Sequence, residues 1–572
     1  MKYEKLAELY DELSSTTKRL KKTEILAKFL KVLSEDDRDV LYLLLGDIYP
    51  EYDERRIGIS HQLAIRAISK STGIDAKDVV KKWREVGDLG KVAEDFSKHK
   101  KQHTLHKHIL TTEKVLENLR KLPELEGKGS VDKKLALITE LLSSATPIEA
   151  LYLVRTLIGS LRMGVKESTI RDAMAEAFFK EKNKSGKEIQ KAIDKSNDIA
   201  SVFDIARHGK TAGFDKLHIE VGKPIKVMLA QKAKNIKDAF DRVGKPAAVE
   251  YKYDGFRMLV HKKDDKVILF TRRLENVTKQ FPEVINYVKK YVKGKSFIID
   301  SEAVGYNRKT KVYTPFQKIS QRIRRKHNVE KLQEELPVEL NVFDILYYNG
   351  KSMLEVPFRK RTELIRKIVK NHPYKIICAK QIITSSEAKA KAFYKKALKD
   401  HQEGVMFKNL DAKYQPGSRV GHMLKVKPEE RDLDLVIVGG EYGTGKRSGN
   451  LSSFILACYD PDKKKYLEIG KVGTGIKEKA TKESGGISFK ELTEKLKPHI
   501  ESEKGRKVKI KPSVVVAVTY QEIQHSPNYD SGFALRFPRF TVMRPDKGPK
   551  EANTLEDVKR SFEDQKRNFR YG

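Results

Sequence analysis

The chain reads as a multidomain protein: an all-helical domain at 1–222, an α+β domain with antiparallel sheets at 223–427, and a small β-barrel at 428–572. Three observations predict this. A chain of 572 residues exceeds what one hydrophobic core supports. Up to about residue 220, apolar residues recur at three- and four-residue spacing, the period of an amphipathic helix. From about residue 245 the period drops to two, which marks half-buried strands.

The elements follow in order. EKLAELYDELSSTTKRLKKTEILAKFLKVL and DKKLALITELLSSATPIEALYLVRTLIGSLRMG carry the helical period. VEYKYDGFRMLVHKK, KVILFTRR and SFIIDSEAVGY alternate, with turn signals at Asp254-Gly255 and Asp264-Asp265. A helical patch at 384–400 makes this block mixed. LKVKPEERD, with Pro428 and its cluster of charges, reads as a linker. Beyond it, DLVIVGG, LSSFILACYD and SVVVAVTYQEI are short strands between glycine turns, as in a small barrel. A charged helix at 554–568, with Leu555, Val558 and Phe562 on one face, ends the chain.

The composition, 39% hydrophobic and 34% charged, fits a globular protein with a highly charged surface. No apolar run approaches the roughly 18 residues of a membrane helix, and the N-terminus lacks a signal core. No membrane is expected as a partner, and the location expected is cytoplasmic, or a nucleus reached by other means. Cys378 and Cys458 stand outside any zinc or disulfide spacing. Lys plus Arg number 116 against 79 acidic residues, a net charge of +37. Such a field attracts polyanions, so a nucleic-acid partner is expected; charge alone leaves ribosomal proteins and RNA enzymes open.

VEYKYDGFR carries the most information. On a strand, Glu250, Lys252 and Asp254 share one face and Val249, Tyr251 and Tyr253 the other. By itself this is an ordinary salt-bridged surface. Arg257 begins the returning strand and Arg272 ends the next, which would bring two guanidinium forks, suited to phosphate, to one surface.

KYDGFR resembles the K-x-D-G-x-R element of the covalent nucleotidyltransferases, the superfamily of DNA ligases, RNA ligases and mRNA capping enzymes. The later elements arrive in that family's order: TRRLENVT, with Arg272 twenty residues after Lys252; FIIDSEAV, with Glu302 fifty after it; NVFDIL; EGVMFK; and LKVK. The helical segment LIGSLRMGVKESTIRDAMAEAF, around Arg162, Gly164 and Lys166, resembles the DNA-binding domain of archaeal and eukaryotic ATP-dependent DNA ligases. Exposed amides at a helix start, beside Arg and Lys, make a phosphate site. In GKPIKVMLAQ the family usually has a second proline where Val227 stands.

The resemblance implies a helical DNA-binding domain, an adenylation domain and an oligonucleotide-binding (OB-fold) barrel. It implies Lys252 as the nucleophile that takes AMP from ATP. A lysine amine attacks phosphorus only when deprotonated, so cations and a bound metal are needed around it. Glu250 would recognise the base and Phe343 would stack on it. Arg257, Arg272, Glu302, Arg419, Lys425 and Lys427 would surround ribose and phosphates, with Lys425 neutralising the α-phosphate. Glu302 and Glu403 would hold Mg²⁺, with Mn²⁺ as an alternative ion. Asp254, Gly255, Asp344 and Lys408 complete these motifs. In ALRFPRF and RPDK, Arg536, Arg539, Arg544, Asp546 and Lys547 resemble the last ligase motif, which orients pyrophosphate for departure. The partner implied is nicked double-stranded DNA, sealed in replication, repair and recombination by a monomer. An RNA ligase or capping enzyme would use the same lysine on RNA; the helical domain favours DNA.

Three further signals are weaker. Gly440 to Arg447 nearly matches a phosphate-binding loop, but Arg447 replaces the metal-binding hydroxyl and a strand follows, so a hairpin is expected. His103, His106 and His108 lack further ligands and read as a solvated loop. The same stretch lies where archaeal ligases often carry a sliding-clamp peptide. Gln102 and Leu105 fit it, while His108 and Ile109 replace its aromatic pair, leaving a sliding clamp as a candidate partner.

Overall fold

The computed structural model describes residues 1–99, 109–314, 316–324, 329–428, 431–444, 447, 449–478 and 486–571. Residues 1–80 and 89–427 form one compact unit, and 81–88 with 428–572 form a second. No described helix is long and apolar enough to cross a membrane.

The N-terminal block is helical from Tyr3–Ser15 to Ile199–Ala206. One largely buried helix, Pro147–Leu157, begins at a sequence-encoded cap. Thr146 Oγ1 accepts from the Glu149 amide, and the Glu149 carboxylate accepts from the Thr146 amide at 2.8 Å. Leu151, Leu153, Val154 and Leu157 then fill the block's core.

The central block contains twelve described strands: β1 Leu229–Lys232, β2 Ala247–Lys252, β3 Phe256–Lys263, β4 Lys266–Thr271, β5 Ser296–Tyr306, β6 Tyr313–Thr314, β7 Val338–Tyr348, β8 Lys351–Ser352, β9 Ile376–Cys378, β10 Gln381–Thr384, β11 Gly404–Asn409 and β12 Arg419–Val426. They form two sheets. One has the order β1-β12-β11-β2-β10; the other runs β4-β3-β5-β7-β8, with β6 beside β5 and β9 beside β7. Pairing is antiparallel except for β1 with β12 and β7 with β9.

Strand alternation decides which side chains face the site. In the first sheet Val249, Tyr251, Val405, Phe407, Leu424 and Val426 pack against helices Ile236–Val243 and Glu387–Lys399. Glu250, Lys252 and Lys425 therefore point the other way. In the second sheet Phe256, Met258, Ile299 and Ala303 face helices Pro282–Tyr291 and Phe358–Ile368. That turns Arg257, Asp300 and Glu302 outward.

The turn at Asp254-Gly255 corrects one expectation. Arg257 does not lie on a strand returning along β2, because β2 is already paired on both edges, by β10 and β11. The chain crosses instead to the second sheet, where β3 pairs with β4 and β5 and Arg257 lies opposite Glu302. A Cβ on Gly255 would come 2.3 Å from the Ala303 carbonyl oxygen, so only glycine lets the crossing hug β5.

In the second unit, β13 Arg431–Tyr442 pairs with β14 Leu451–Asp460 on one edge. Its other edge takes β16 Val515–Tyr520 along its first half and β15 Lys507–Ile510 along its second. The curled sheet wraps Leu435, Ile437, Phe454, Leu456, Ile469 and Val518 into one core. The C-terminal helix Leu555–Tyr571 presses Val558, fully buried, onto that core with Leu555 and Phe562. Gly440 lies within the antiparallel pairing of β13 and β14, so the phosphate-loop lookalike is the expected hairpin. Gly445 and Lys446 fall outside the described residues. Both cysteines are free and buried.

Candidate active site

Lys252 closes β2, and the Glu403 amide donates to its carbonyl at 2.9 Å. This places the Glu403 carboxylate against the lysine, with Lys252 Nζ 2.9 Å from Oε2. Lys427, just past β12, makes an ion pair with the same oxygen. Burial favours the protonated form of Glu403, yet the charges of Lys252 and Lys427 outweigh it and hold the carboxyl down to about 2.

Lys425 lies two residues before Lys427 on the same face. Burial lowers its ammonium below the ordinary lysine range, and Lys427, Lys252 and Arg419 lower it further. Arg272, just past β4, is likewise lowered, first by burial and then by Arg257 and Arg419. Arg419 is exposed, with Nη1 3.3 Å from the Ala230 carbonyl. These cations compete for the same space, and each would be relieved by an anion among them. Glu302 faces them from β5. Burial pushes its carboxyl up to about 8, against the pull of Lys252 and Arg257 and with Glu403 and Asp300 raising it further.

Arg257 departs from expectation. Its fork is not open to phosphate: Nε donates to Asp300 Oδ1 at 2.8 Å and Nη2 to Asp300 Oδ2, Nη1 donates to the Met228 carbonyl at 2.6 Å, and Nη2 reaches the Tyr414 hydroxyl at 3.2 Å. Asp300 is fully buried, and a buried carboxylate requires such a partner.

Phe343, half-buried on β7, lies between two cations. Lys408 Nζ is 4.8 Å and Arg257 Cζ 5.4 Å from its ring centroid. Lys408 in turn forms a buried ion pair with Glu250 at 2.6 Å, and Gln381 Nε2 donates to the other Glu250 oxygen at 2.7 Å. The Asp254 amide donates to Gln402 Oε1 at 3.0 Å. Asp344 sits apart from this cluster, buried and paired with Arg361. Sequence reading missed Gln381, Gln402, Arg361 and Tyr414. Only Tyr414 had a local signal, lying five residues before Arg419 in the same motif stretch.

The remaining predicted residues lie elsewhere. Arg162, Gly164 and Lys166 are exposed in the turn before helix Glu167–Phe178, alternating with buried Leu161 and Met163. Arg162 and Gly164 have φ of 58° and 66°, and Lys22 donates to the Met163 carbonyl beneath them. In the second unit Arg536 pairs with Glu522 at 2.9 Å, and Arg539 is exposed. Arg544 bonds both Asp434 (2.8 Å) and Asp546 (2.7 Å), and Lys547 reaches Asp434 at 2.7 Å. The RPDK cations are thus held on their own barrel. Gln102, Leu105, His108, His103 and His106 lie outside the described residues; Ile109 is exposed.

Three stretches of the chain match models of known families. Residues 2–175 match a family model described as DNA ligase N terminus. Residues 227–427 match ATP dependent DNA ligase domain, and 447–547 match ATP dependent DNA ligase C terminal region. The chain is 46% identical to a DNA ligase of Nanoarchaeum equitans over 566 residues, 99% of each chain. It is 41% identical to one of Thermococcus onnurineus over 570 residues, again 99% of each. A solved structure titled Pmar-Lig_PreS3 shares the fold, with a TM-score of 0.56 at 18% identity, over 94% of this chain and 99% of that one. The chain belongs to the ATP-dependent DNA ligases. Its fold is that of the family: a helical N-terminal region, a central adenylation domain with antiparallel sheets and a sheet-rich OB-fold domain.

Proposed function

We propose that the chain seals single-strand nicks in duplex DNA through a lysyl-AMP intermediate on Lys252, in DNA replication, repair and recombination. The observation that carries this is the placement of Lys252 Nζ, 2.9 Å from Glu403, beside Lys425 and Lys427, in a run of mutually repelling cations that continues through Arg419 to Arg272. These cations suit a triphosphate and the charge that builds on it during transfer. Lys252 Nζ bonds to the α-phosphorus of ATP, loses a proton, and pyrophosphate leaves. A 5′-phosphate oxygen at the nick then takes the AMP, breaking the P–N bond and freeing Lys252. The 3′-hydroxyl attacks that activated phosphate, and AMP departs.

Phe343 stacks on adenine, and Glu250, fixed by Lys408 and Gln381, accepts from the base. Glu302 on β5 and Glu403 just before β11 would hold Mg²⁺ or Mn²⁺: the two carboxyls lie near enough to shift one another's protonation, and carboxylate oxygens are the donors a hard cation prefers. When bound, the ion neutralises phosphate charge. Asp254 and Gly255 shape the crossing after Lys252. Arg162, Gly164 and Lys166 contact the DNA backbone. Arg536, Arg539, Arg544, Asp546 and Lys547 serve pyrophosphate departure once Asp434 gives up its hold on Arg544 and Lys547. The working division is 1–222 for DNA binding, 223–427 for adenylation and 428–572 for the barrel, in a cytoplasmic monomer.

The test is incubation with α-labelled ATP, ADP, GTP and NAD⁺, for wild type and Lys252→Ala. Label from ATP on wild type only is expected. Label retained by Lys252→Ala refutes the assignment.

A further inference from the structure

Tyr414 lies in the loop between β11 and β12 and is 3% exposed. Its hydroxyl donates to Asp300 Oδ2 at 2.8 Å and accepts from the Met228 amide at 3.1 Å and from Arg257 Nη2 at 3.2 Å. A phenol has one proton and two lone pairs, so the group is saturated. Burial, with Asp300 alongside, pushes the phenol well above its ordinary range, which keeps it a donor. The ring itself packs among Val227, Met228, Leu259 and Ile298.

The three partners come from three separate segments. Met228 precedes β1, the strand that runs parallel to β12 with Leu229 opposite Arg419 and Lys232 opposite Lys425. Arg257 is on β3, and Arg257 Nη1 closes the circuit by donating to the Met228 carbonyl at 2.6 Å. Asp300 is on β5, two residues before Glu302. One hydroxyl thereby joins the sheet that carries Lys252 and Lys425 to the sheet that carries Glu302.

We propose that Tyr414 is a positioning residue for phosphoryl transfer: its hydroxyl sets the distance between the cations of the first sheet and the carboxylate of the second. The inference rests on Lys252 being the adenylated residue. Removing the hydroxyl leaves the Met228 amide, one Arg257 donor and one Asp300 oxygen each a partner short. At the end nearest the site the two sheets are then left with the single Arg257–Met228 carbonyl bond in place of the three-way junction. Transfer depends steeply on such distances, and displacements near 1 Å cost about a hundredfold.

The test compares full-length wild type, Tyr414→Phe and Leu346→Val in self-adenylation with α-labelled ATP, below the melting transition of all three. Leu346 belongs to the same apolar cluster and makes none of these hydrogen bonds through its side chain, so Leu346→Val weakens packing alone. Tyr414→Phe is expected to lower the rate at saturating ATP about ten- to a hundredfold with KM for ATP within about twofold, and still to reach full labelling at long times. Leu346→Val is expected to keep the wild-type rate. A wild-type rate in Tyr414→Phe, an equal loss in Leu346→Val, or a change in KM alone overturns the inference. Absence of label on the wild-type chain would instead refute the Lys252 reading, and this inference with it.

Discussion

Asp344 stands beside Phe343 in a ligase motif, yet its carboxylate is turned into the core. Arg361 Nε and Nη2 hold it at 2.7 and 3.1 Å, and the two side chains are 2% and 1% exposed. Arg361 also donates to the carbonyls of Val356 and Ala412, so its guanidinium pins two loops to β7. Breaking a buried ion pair from one side costs about 3–5 kcal/mol, because the remaining charge stays buried. Asp344→Asn keeps one acceptor, which places it near the lower end, about 3 kcal/mol. With the proposed adenylation domain, 223–427, unfolding as its own cooperative unit, each kcal/mol lowers the melting temperature by about 2–4 °C, so a drop of about 6–12 °C is expected. Scanning calorimetry of the ligand-free chain reads it. Replacing both partners, Asp344→Leu with Arg361→Met, is expected to recover only part of the loss, because the Val356 and Ala412 carbonyls still lack their donor. A melting temperature for Asp344→Asn within about 1 °C of wild type, with adenylation abolished, would refute the structural role and make Asp344 a chemical group.

Other expectations follow from the same geometry. Gly255→Ala must push β5 away from the crossing, since its Cβ would meet the Ala303 oxygen at 2.3 Å. Displacing the neighbouring Glu302 should slow adenylation about a hundredfold while duplex binding persists, as gel shifts would show. His261 is fully buried, accepts from the Gly222 amide at 3.0 Å through Nδ1, and is pushed by burial down to about 3. The folded chain keeps it neutral while the unfolded chain protonates below about 6.5, so its contribution is full above that pH and declines as pH falls toward 3. Urea midpoints measured from pH 8 to pH 4 should therefore fall less in His261→Gln; parallel curves would count against this. Lys166→Ala should weaken nicked-duplex binding and reduce the log–log salt slope by about 0.9, the share of one phosphate contact. An unchanged slope would remove Lys166 from the interface.

Much of the site was legible because its residues recur along strands. Alternation alone put Glu250 and Lys252 on one face of β2, and Lys425 and Lys427 together, and the structure keeps both pairs. Helical periodicity found the N-terminal block and the Val558 helix for the same reason: the pattern is local. What escaped depends on tertiary pairing. An Asp-Gly turn looks the same whether the chain folds back or crosses to another sheet, and only the occupied edges of β2 decide between them. Arg257 looked like a phosphate fork until Asp300, 43 residues away, took its donors. Gln381 lies 131 residues from Glu250, and Arg361 follows Asp344 by 17 residues, outside every motif read from the sequence. The first partner is set by the pairing of β10 with β2, which puts Gln381 opposite Glu250, and the second by the packing of helix Phe358–Ile368 on β7.

The crossing at Asp254-Gly255 also bears on where this chain tolerates added material. Each sheet is closed by the other through a handful of residues that admit no slack, whereas the hairpin tip at Asp264-Asp265 lies exposed beyond the last rung of β3 and β4. A fluorophore or affinity handle spliced at that tip would ride outside both sheets. One inserted between Lys252 and Arg257 would part them and take the nucleophile out of register with its carboxylates. Motif order in this chain is thus an itinerary between two surfaces, and the stops where it changes surface are the ones an engineer should leave alone.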